Sequence, residues 1–320
     1  MKIGLVTDSL SHLAFDDLLG TAAELGLDCL EFATGNWSSA PHIDIDKLLD
    51  SPAQMREFKA RIEAHGLTIS ALNANGNPLH PGASGPGEAA VVDKTIELAS
   101  RMGVERVNLM SGLPGAPGDK HPNWIVSAWP PETGKILEWQ WQEVVLPYWQ
   151  QLVKTANGRG INKLCLEMHG GQVVYNAASF RRLREAVGAT VGLNFDPSHL
   201  LWMGADPLAV IRELGDSIYH VHAKDTWINP QPCALNSRLE ILHHSQVAQR
   251  SWSYVTLGYG QSELWWRQFC YELRLAGYDD VLSIEHEDMT LSRYEGVKKS
   301  VELLQRCMPV EVSDYELPPI

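Results

Sequence analysis

The sequence predicts an α/β fold of the (β/α)8 TIM-barrel class, and three observations carry that prediction. Eight short apolar strands alternate with eight amphipathic helical stretches, glycine follows most of the helices, and no glycine-rich phosphate loop follows the first strand.

The strands are expected at 2–8 (KIGLVTD), 27–34, 67–73, 104–111, 161–169, 190–196, 217–225 and 279–288. Helices are expected near 14–25, 52–65, 87–102, 138–157, 176–187, 206–214, 262–276 and 291–307. In TIELASRM and FRRLREAV the apolar positions recur at three and four, as a helix packed on a sheet requires. Gly26, Gly66, Gly103, Gly160, Gly188, Gly215 and Gly277 then end the helices, glycine being the residue that enters the left-handed conformation most cheaply. Strict alternation makes the sheet all-parallel, and eight is the number that closes it. The rival open sheet would carry its glycine loop in VTDSLSHLAF, which has none. Two connections exceed ordinary turns, 111–137 and 226–262, and in a barrel both emerge at the C-terminal mouth. No Pro/Ser-rich linker divides the chain, so residues 1–320 read as one domain.

Composition narrows the partners. The 320 residues are 44% hydrophobic, and the formal charge is −13 with no block of like charge. An acidic surface repels phosphate backbones, which speaks against nucleic acid. The N-terminus lacks a basic region followed by a long apolar one, and no apolar run approaches the roughly 18 residues of a membrane span. Five scattered cysteines without CxxC spacing fit a reducing compartment. The expectation is a cytoplasmic protein that binds something small.

Polar residues that end otherwise apolar strands mark the site. Strand five ends in Glu167 and His169, and strand six in Asp196 followed by His199. Strand seven carries His220, His222, Lys224 and Asp225, and strand eight Glu285, His286, Glu287 and Asp288. Glu167, Asp196, His222 and Glu285 come from four successive units at one end of the barrel. Three carboxylates and an imidazole there need a cation to stay ionised together. The donor set suits one divalent ion, Mn2+ first, with Mg2+, Co2+ and Zn2+ compatible. Taken singly, a strand-end Asp can equally cap the next helix, as Asp206 is expected to do. Strand alternation puts His169 on the face of Glu167. His220 shares the parity of His222 at a deeper, core position, and His286 points away from Glu285. The chain has 11 tryptophans. Those on helices (Trp139, Trp141, Trp149, Trp265, Trp266) read as packing residues. Those in loops (Trp37, Trp124, Trp129, Trp202, Trp227) could stack on a cyclic carbohydrate or an aryl glycoside. The 226–262 loop, with His243, His244, Trp252 and Tyr254, reads as a lid or partner-binding segment.

The motifs LEMH, NFDPSH, HVHAKD and SIEHED resemble the xylose-isomerase-like superfamily of sugar isomerases and epimerases, which also contains endonuclease IV. The resemblance covers nearly the whole chain. It implies Glu167, Asp196, His222 and Glu285 as ligands of one metal, and both glutamates as groups that exchange a proton with substrate. It implies abstraction next to a carbonyl through a metal-stabilised enediolate, with His199 supporting the ligands or touching substrate. His169, by its strand parity with Glu167, is expected as an extra catalytic base or substrate contact. Substrate contacts are expected from Lys224, Trp129, Trp202 and Asn108. Endonuclease IV relatives hold three zinc ions with extra histidines on strands three and four, where this chain offers Asn73, Asn75 and Asn108, with His80 well beyond. The sequence also lacks the arginine that ketose 3-epimerases carry beyond the metal histidine, reading TWINPQP instead. The resemblance therefore implies a sugar isomerase or epimerase. The alternatives are a lyase of 3-oxo-glycosides, similar to C-glycoside deglycosidase α-subunits that pair with a small β-subunit, and a dehydratase. The expected partners are a carbohydrate or glycoside and a second subunit, identical or small and different. A binding protein without chemistry is disfavoured because both glutamates are present.

Overall fold

Eight parallel strands close into a barrel in a computed structural model that describes residues 1–317. They are β1 (Lys2–Val6), β2 (Cys29–Ala33), β3 (Thr68–Asn73), β4 (Arg106–Met110), β5 (Lys163–Glu167), β6 (Val191–Phe195), β7 (Ile218–Ala223) and β10 (Val281–Ile284). Each lies beside its predecessor, and β10 pairs with both β7 and β1. A hairpin of β8 (Asp225–Ile228) and β9 (Trp252–Val255) stands between β7 and β10. The strands are buried on both faces, as in barrels generally, which is why they read as near-continuous apolar runs.

All eight expected strands are present, trimmed at their ends. The first stops at Val6 because Thr7–Leu10 turns into a 3-10 helix. All eight expected helices are present too, five of them started by side-chain caps at Ser51, Asn176, Asp206, Ser262 and Ser292. The helix expected at 138–157 begins earlier, at Pro131, where proline suits the first turn. It runs through a π-helical turn, Gln140–Val145, into Leu146–Gly158. That turn buries the Gln140 amide, which donates to the carbonyls of Pro114 and Asn123 and so ties down the long loop after β4. Trp141, Trp149 and Trp266 are core residues, as their helical positions implied. Among the described residues, no helix is long and apolar enough to cross a membrane.

The 226–262 segment is not a plain loop. Its hairpin pairs Asp225 with Val255 and Ile228 with Trp252, with a short helix, Pro230–Asn236, in between. The glycines of VTLGYGQ wrap the Asp225 carboxylate, which accepts N–H groups from Thr226, Gly258, Gly260 and Gln261 and from the Trp266 indole. A β-carbon at Gly260 would collide with the Thr226 carbonyl and with Asp225. Gly260→Ala is therefore expected to cost about 1–3 kcal/mol in urea unfolding, as overpacking against backbone does. An unchanged unfolding midpoint would show that the turn is not the anchor of the hairpin.

Candidate metal centre and active site

The C-terminal mouth of the barrel gathers the charged strand ends. Glu167 closes β5, Asp196 follows β6, His222 is the penultimate residue of β7, and Glu285 follows β10. One donor atom from each lies within 4.8 Å of the others. His222 Nδ1 is 3.1 Å from Glu285 Oε2 and 3.5 Å from Glu167 Oε2. Asp196 caps a helix with one oxygen and turns the other to the cluster. Oδ1 caps the short helix Pro197–Met203 by accepting the Ser198 N–H at 2.7 Å, and Oδ2 faces the cluster.

These residues fit a divalent cation. Asp196 Oδ2, His222 Nδ1 and Glu285 Oε2 are buried and receive no hydrogen bond of good geometry from the described residues. Buried polar atoms are otherwise nearly always paired, so three orphans converging on one point call for an ion. The ring orientation of His222 agrees. Its Nε2 lies 3.1 Å from both oxygens of Glu31, which can only accept, and 3.1 Å from the Asn194 side-chain amide. With Nε2 donating to Glu31, Nδ1 is the nitrogen turned toward the quartet, where a cation would displace its proton.

Glu31, on β2, is not among the residues the sequence singled out. Its carboxylate is fully buried beneath the metal quartet and also accepts from Asn73 at 2.7 Å, Asn108 at 2.8 Å and Ser283 at 3.0 Å. Burial alone would raise its pKa, but the imidazole charges of His222 and His220 and the donated hydrogen bonds outweigh that and hold it at about 2. Asn108, expected to touch substrate, instead lies under the site on Glu31 and close to His220. His220 is the buried core histidine its depth implied, and burial pushes its pKa down to about 3. A signal for Glu31 exists in the sequence: it is the one charged residue inside the otherwise apolar β2, CLEFA.

His199 stands over the quartet. Its Nε2 is 2.8 Å from Glu167 Oε1 and 3.2 Å from Asp196 Oδ2. The other nitrogen, Nδ1, meets the Trp202 indole N–H at 3.4 Å and the Tyr254 hydroxyl at 3.0 Å. An indole can only donate, so Nδ1 accepts and the ring proton sits on Nε2. Against the cost of burial, Asp196 and Glu167 raise the His199 pKa to about 9, while the indole N–H opposes a second ring proton. His169 packs on this ring at 3.9 Å, and burial drives its own pKa well down. Lys224 is 4% exposed, 3.2 Å from Glu285 and 2.7 Å from Glu287, with its ammonium 4.3 Å from the centre of the Tyr254 ring. Although burial opposes it, Lys224 with His222 holds the Glu285 carboxyl at about 2.

A cavity of ≈ 1000 Å³ opens above these groups, with Glu167, Glu285, His169, Lys224 and Trp202 on its surface. Trp129 is not among its walls. It is 76% exposed, held at the tip of its loop through Ser127 and away from the residues that line this cavity. His80 belongs to a separate, smaller pocket, Asn75 reaches Glu167 at 3.1 Å, and His286 sits against Gly296 with its backbone N–H on Ser9. Two further carboxylate–imidazole groups, Glu31–His220–His222 and Glu167–His169–His199, share members with the quartet and extend it downward and outward.

Residues 19–307 match the family described as the xylose isomerase-like TIM barrel. The chain is 48% identical over 309 residues to the "uncharacterized protein YfiH" of Bacillus subtilis (strain 168), covering 96% of this chain and 99% of that protein. Among solved structures it resembles IolI with a bound zinc atom, at a TM-score of 0.67 and 19% identity over 97% of this chain and 100% of that one. It also resembles L-ribulose 3-epimerase, at 0.63 and 18% over 96% and 94%. At such identities the two structures speak for the fold.

Proposed function

The chain belongs to the xylose isomerase-like TIM barrel family, and from that premise we propose that it is a divalent-cation-dependent sugar isomerase or epimerase that moves a proton on carbon next to a carbonyl. The observation that carries this reading is the placement of Glu167 and Glu285. Both carboxylates edge one candidate cation site and both face the same cavity. Glu167, Asp196, His222 and Glu285 would hold one ion, Mn2+ in the first instance, with Mg2+, Co2+ or Zn2+ suiting the same donors. Zinc is the ion in the IolI structure. Bound there, the ion would polarise a substrate carbonyl and acidify the neighbouring C–H.

The chain's own groups supply the rest. Glu167 takes the proton and Glu285 returns one from the other side. His199, buried with its Nε2 2.8 Å from Glu167 and 3.2 Å from Asp196, steadies the two carboxylates from beside the cavity. Lys224 keeps Glu285 ionised. A second reading, a lyase of 3-oxo-glycosides or a dehydratase on the same residues, is favoured by the cavity volume and by the missing arginine after β7. In either case the substrate is a carbohydrate or glycoside handled in the cytoplasm, by an oligomer of this chain or a pair with a small second subunit.

Elemental analysis of the purified protein should find one divalent ion per chain, removable by EDTA and restored by Mn2+. With the ion present, a panel of ketoses in heavy water should exchange carbon-bound hydrogen, and EDTA should stop the exchange. Full exchange after EDTA, or no bound ion at any stage, would overturn the proposal. Release of an aglycone from 3-oxo-glycosides without exchange in free ketoses would select the lyase.

A further inference from the structure

The cavity above the cation site carries aromatic side chains on two sides that proton transfer does not use. One side is built by the short helix after β6 and by the hairpin. There the Trp202 and Trp252 indoles lie parallel within 6°, with centroids 4.7 Å apart. Tyr254 leans on Trp252 at 5.2 Å, and the His244 ring lies nearly parallel to Tyr254. Two cations pack on this wall: Lys224, which also reaches Glu285, over Tyr254, and Arg250 at 4.5 Å over Trp252. The other side is Trp37, from the loop after β2. Its backbone N–H is anchored on the Asn75 carbonyl, yet its indole stays 55% exposed, 6.1 Å from His169.

Volume decides what this is for. At ≈ 1000 Å³ the cavity stands at the top of the roughly 300–1,000 Å³ range of drug-sized ligand sites. One sugar ring at Glu167 and Glu285 fills the inner end and leaves the aromatic end open. Trp37 differs from the opposite wall. Trp202, Trp252 and Tyr254 are buried, with ring faces covered by one another, Arg250 and Lys224, and bound the cavity as a fixed apolar edge, whereas Trp37 is half exposed. An indole left open at a cavity mouth offers a flat apolar face, which stacks on another flat face. The two cations at the Trp252–Tyr254 wall are already taken, Lys224 by Glu285 and Glu287 and Arg250 by Glu240, and Arg293, also on the cavity surface, lies on Ser11, so this wall itself offers no free charge to an anion.

We propose that the outer half of the cavity is a subsite for a second ring, so that the substrate is a glycoside with its sugar at Glu167 and Glu285 and its ring aglycone between Trp37 and the Trp252–Tyr254 wall. This rests on the reading of the inner half as the sugar site. An aryl group and a second pyranose share the required chemistry, a rigid ring with a flat apolar face.

The test is binding, so its outcome does not depend on which reaction follows. Methyl, phenyl and glucosyl β-glucosides, with the matching galactosides and xylosides, are titrated into EDTA-treated and Mn2+-loaded protein and followed by tryptophan fluorescence and calorimetry. At least one phenyl or disaccharide ligand should bind about ten-fold tighter than its methyl counterpart, a difference of about 1.4 kcal/mol. Trp37→Ala should erase that preference and Trp37→Phe should keep most of it, with unchanged melting of both variants. Tighter binding of phenyl than glucosyl ligands assigns an aryl aglycone, and the reverse assigns a second sugar. Equal affinity for methyl and ring-bearing ligands overturns the subsite, as does a preference that survives Trp37→Ala. Loss of Mn2+ binding with the ring preference intact would bring down the metal reading alone.

Discussion

Glu31→Ala should lower the stability of the metal-free protein by about 3–5 kcal/mol and weaken Mn2+ binding by about 10–100-fold, although Glu31 itself is no ligand in the quartet. The carboxylate is the shared acceptor for Asn73, Asn108, Ser283 and His222, drawn from four different strands. Removing it strands four buried donors in a barrel interior that water does not reach, and each stranded group costs on the order of 1–3 kcal/mol before relaxation. It also frees the tautomer of His222. With Glu31 present, Nε2 keeps its proton and Nδ1 is the nitrogen that gives one up to a cation. Without it, the proton can sit on Nδ1 and face Glu285 instead. Glu31→Gln keeps an acceptor but loses the charge, so it should fall between wild type and Glu31→Ala in both measurements. Urea unfolding of EDTA-treated protein reads the first effect, and calorimetric titration with Mn2+ the second. Unaltered Mn2+ affinity in a folded Glu31→Ala protein would show that Nδ1 is presented by packing alone.

The barrel is legible in the sequence because its signals are local. Alternation of buried strands with helices of period 3.6 is written within windows of about ten residues, and so are the helix caps. Where legibility ends, distance along the chain or a competing local signal is the cause. The partners β8 and β9 are separated by a helix and a polar stretch, with no two-residue turn to announce a hairpin. The helix Pro197–Met203 is masked because Asp196 also reads as a metal ligand. Yet Asp-Pro followed by Gly204 is a complete start and stop.

The site is legible in the same partial way. Strand-end carboxylates at the mouth of a barrel stand out against apolar strands, and the four named ligands do converge. Depth is not legible. Asn108 and Glu31 lie one layer below the mouth, and nothing in a single strand says whether a polar residue meets substrate or a neighbouring strand's side chain. Tyr254 reads only as part of a lid, because its contact with His199 bridges 55 residues of chain through the hairpin. Trp129 and Trp202 have equal claims as loop tryptophans. Three-dimensional packing alone separates the one on Trp252 from the one in solvent.

The asymmetry between the two glutamates leads to the other large effect. Glu285 lies 3.2 Å from the Lys224 ammonium, which keeps it charged but a weak base. Glu167 meets the neutral amides of Asn75 at 3.1 Å and Asn194 at 3.3 Å, together with His199. The two carboxylates are held differently, and Glu167, which has no contact with the Lys224 ammonium, is the one assigned to take the first proton. Glu167→Gln should therefore slow exchange of carbon-bound hydrogen by about 10²–10⁴-fold, the usual worth of a positioned base. Glu285→Gln should slow net isomerisation by a similar factor but leave more of the wash-out of label into solvent, because the first proton still has its acceptor. Both rates are compared at equal metal occupancy, verified by elemental analysis, since each residue is also a candidate ligand. If Glu285→Gln abolished exchange while Glu167→Gln retained it, the roles would be reversed. Lys224 would then be tuning the base itself rather than the group that returns the proton.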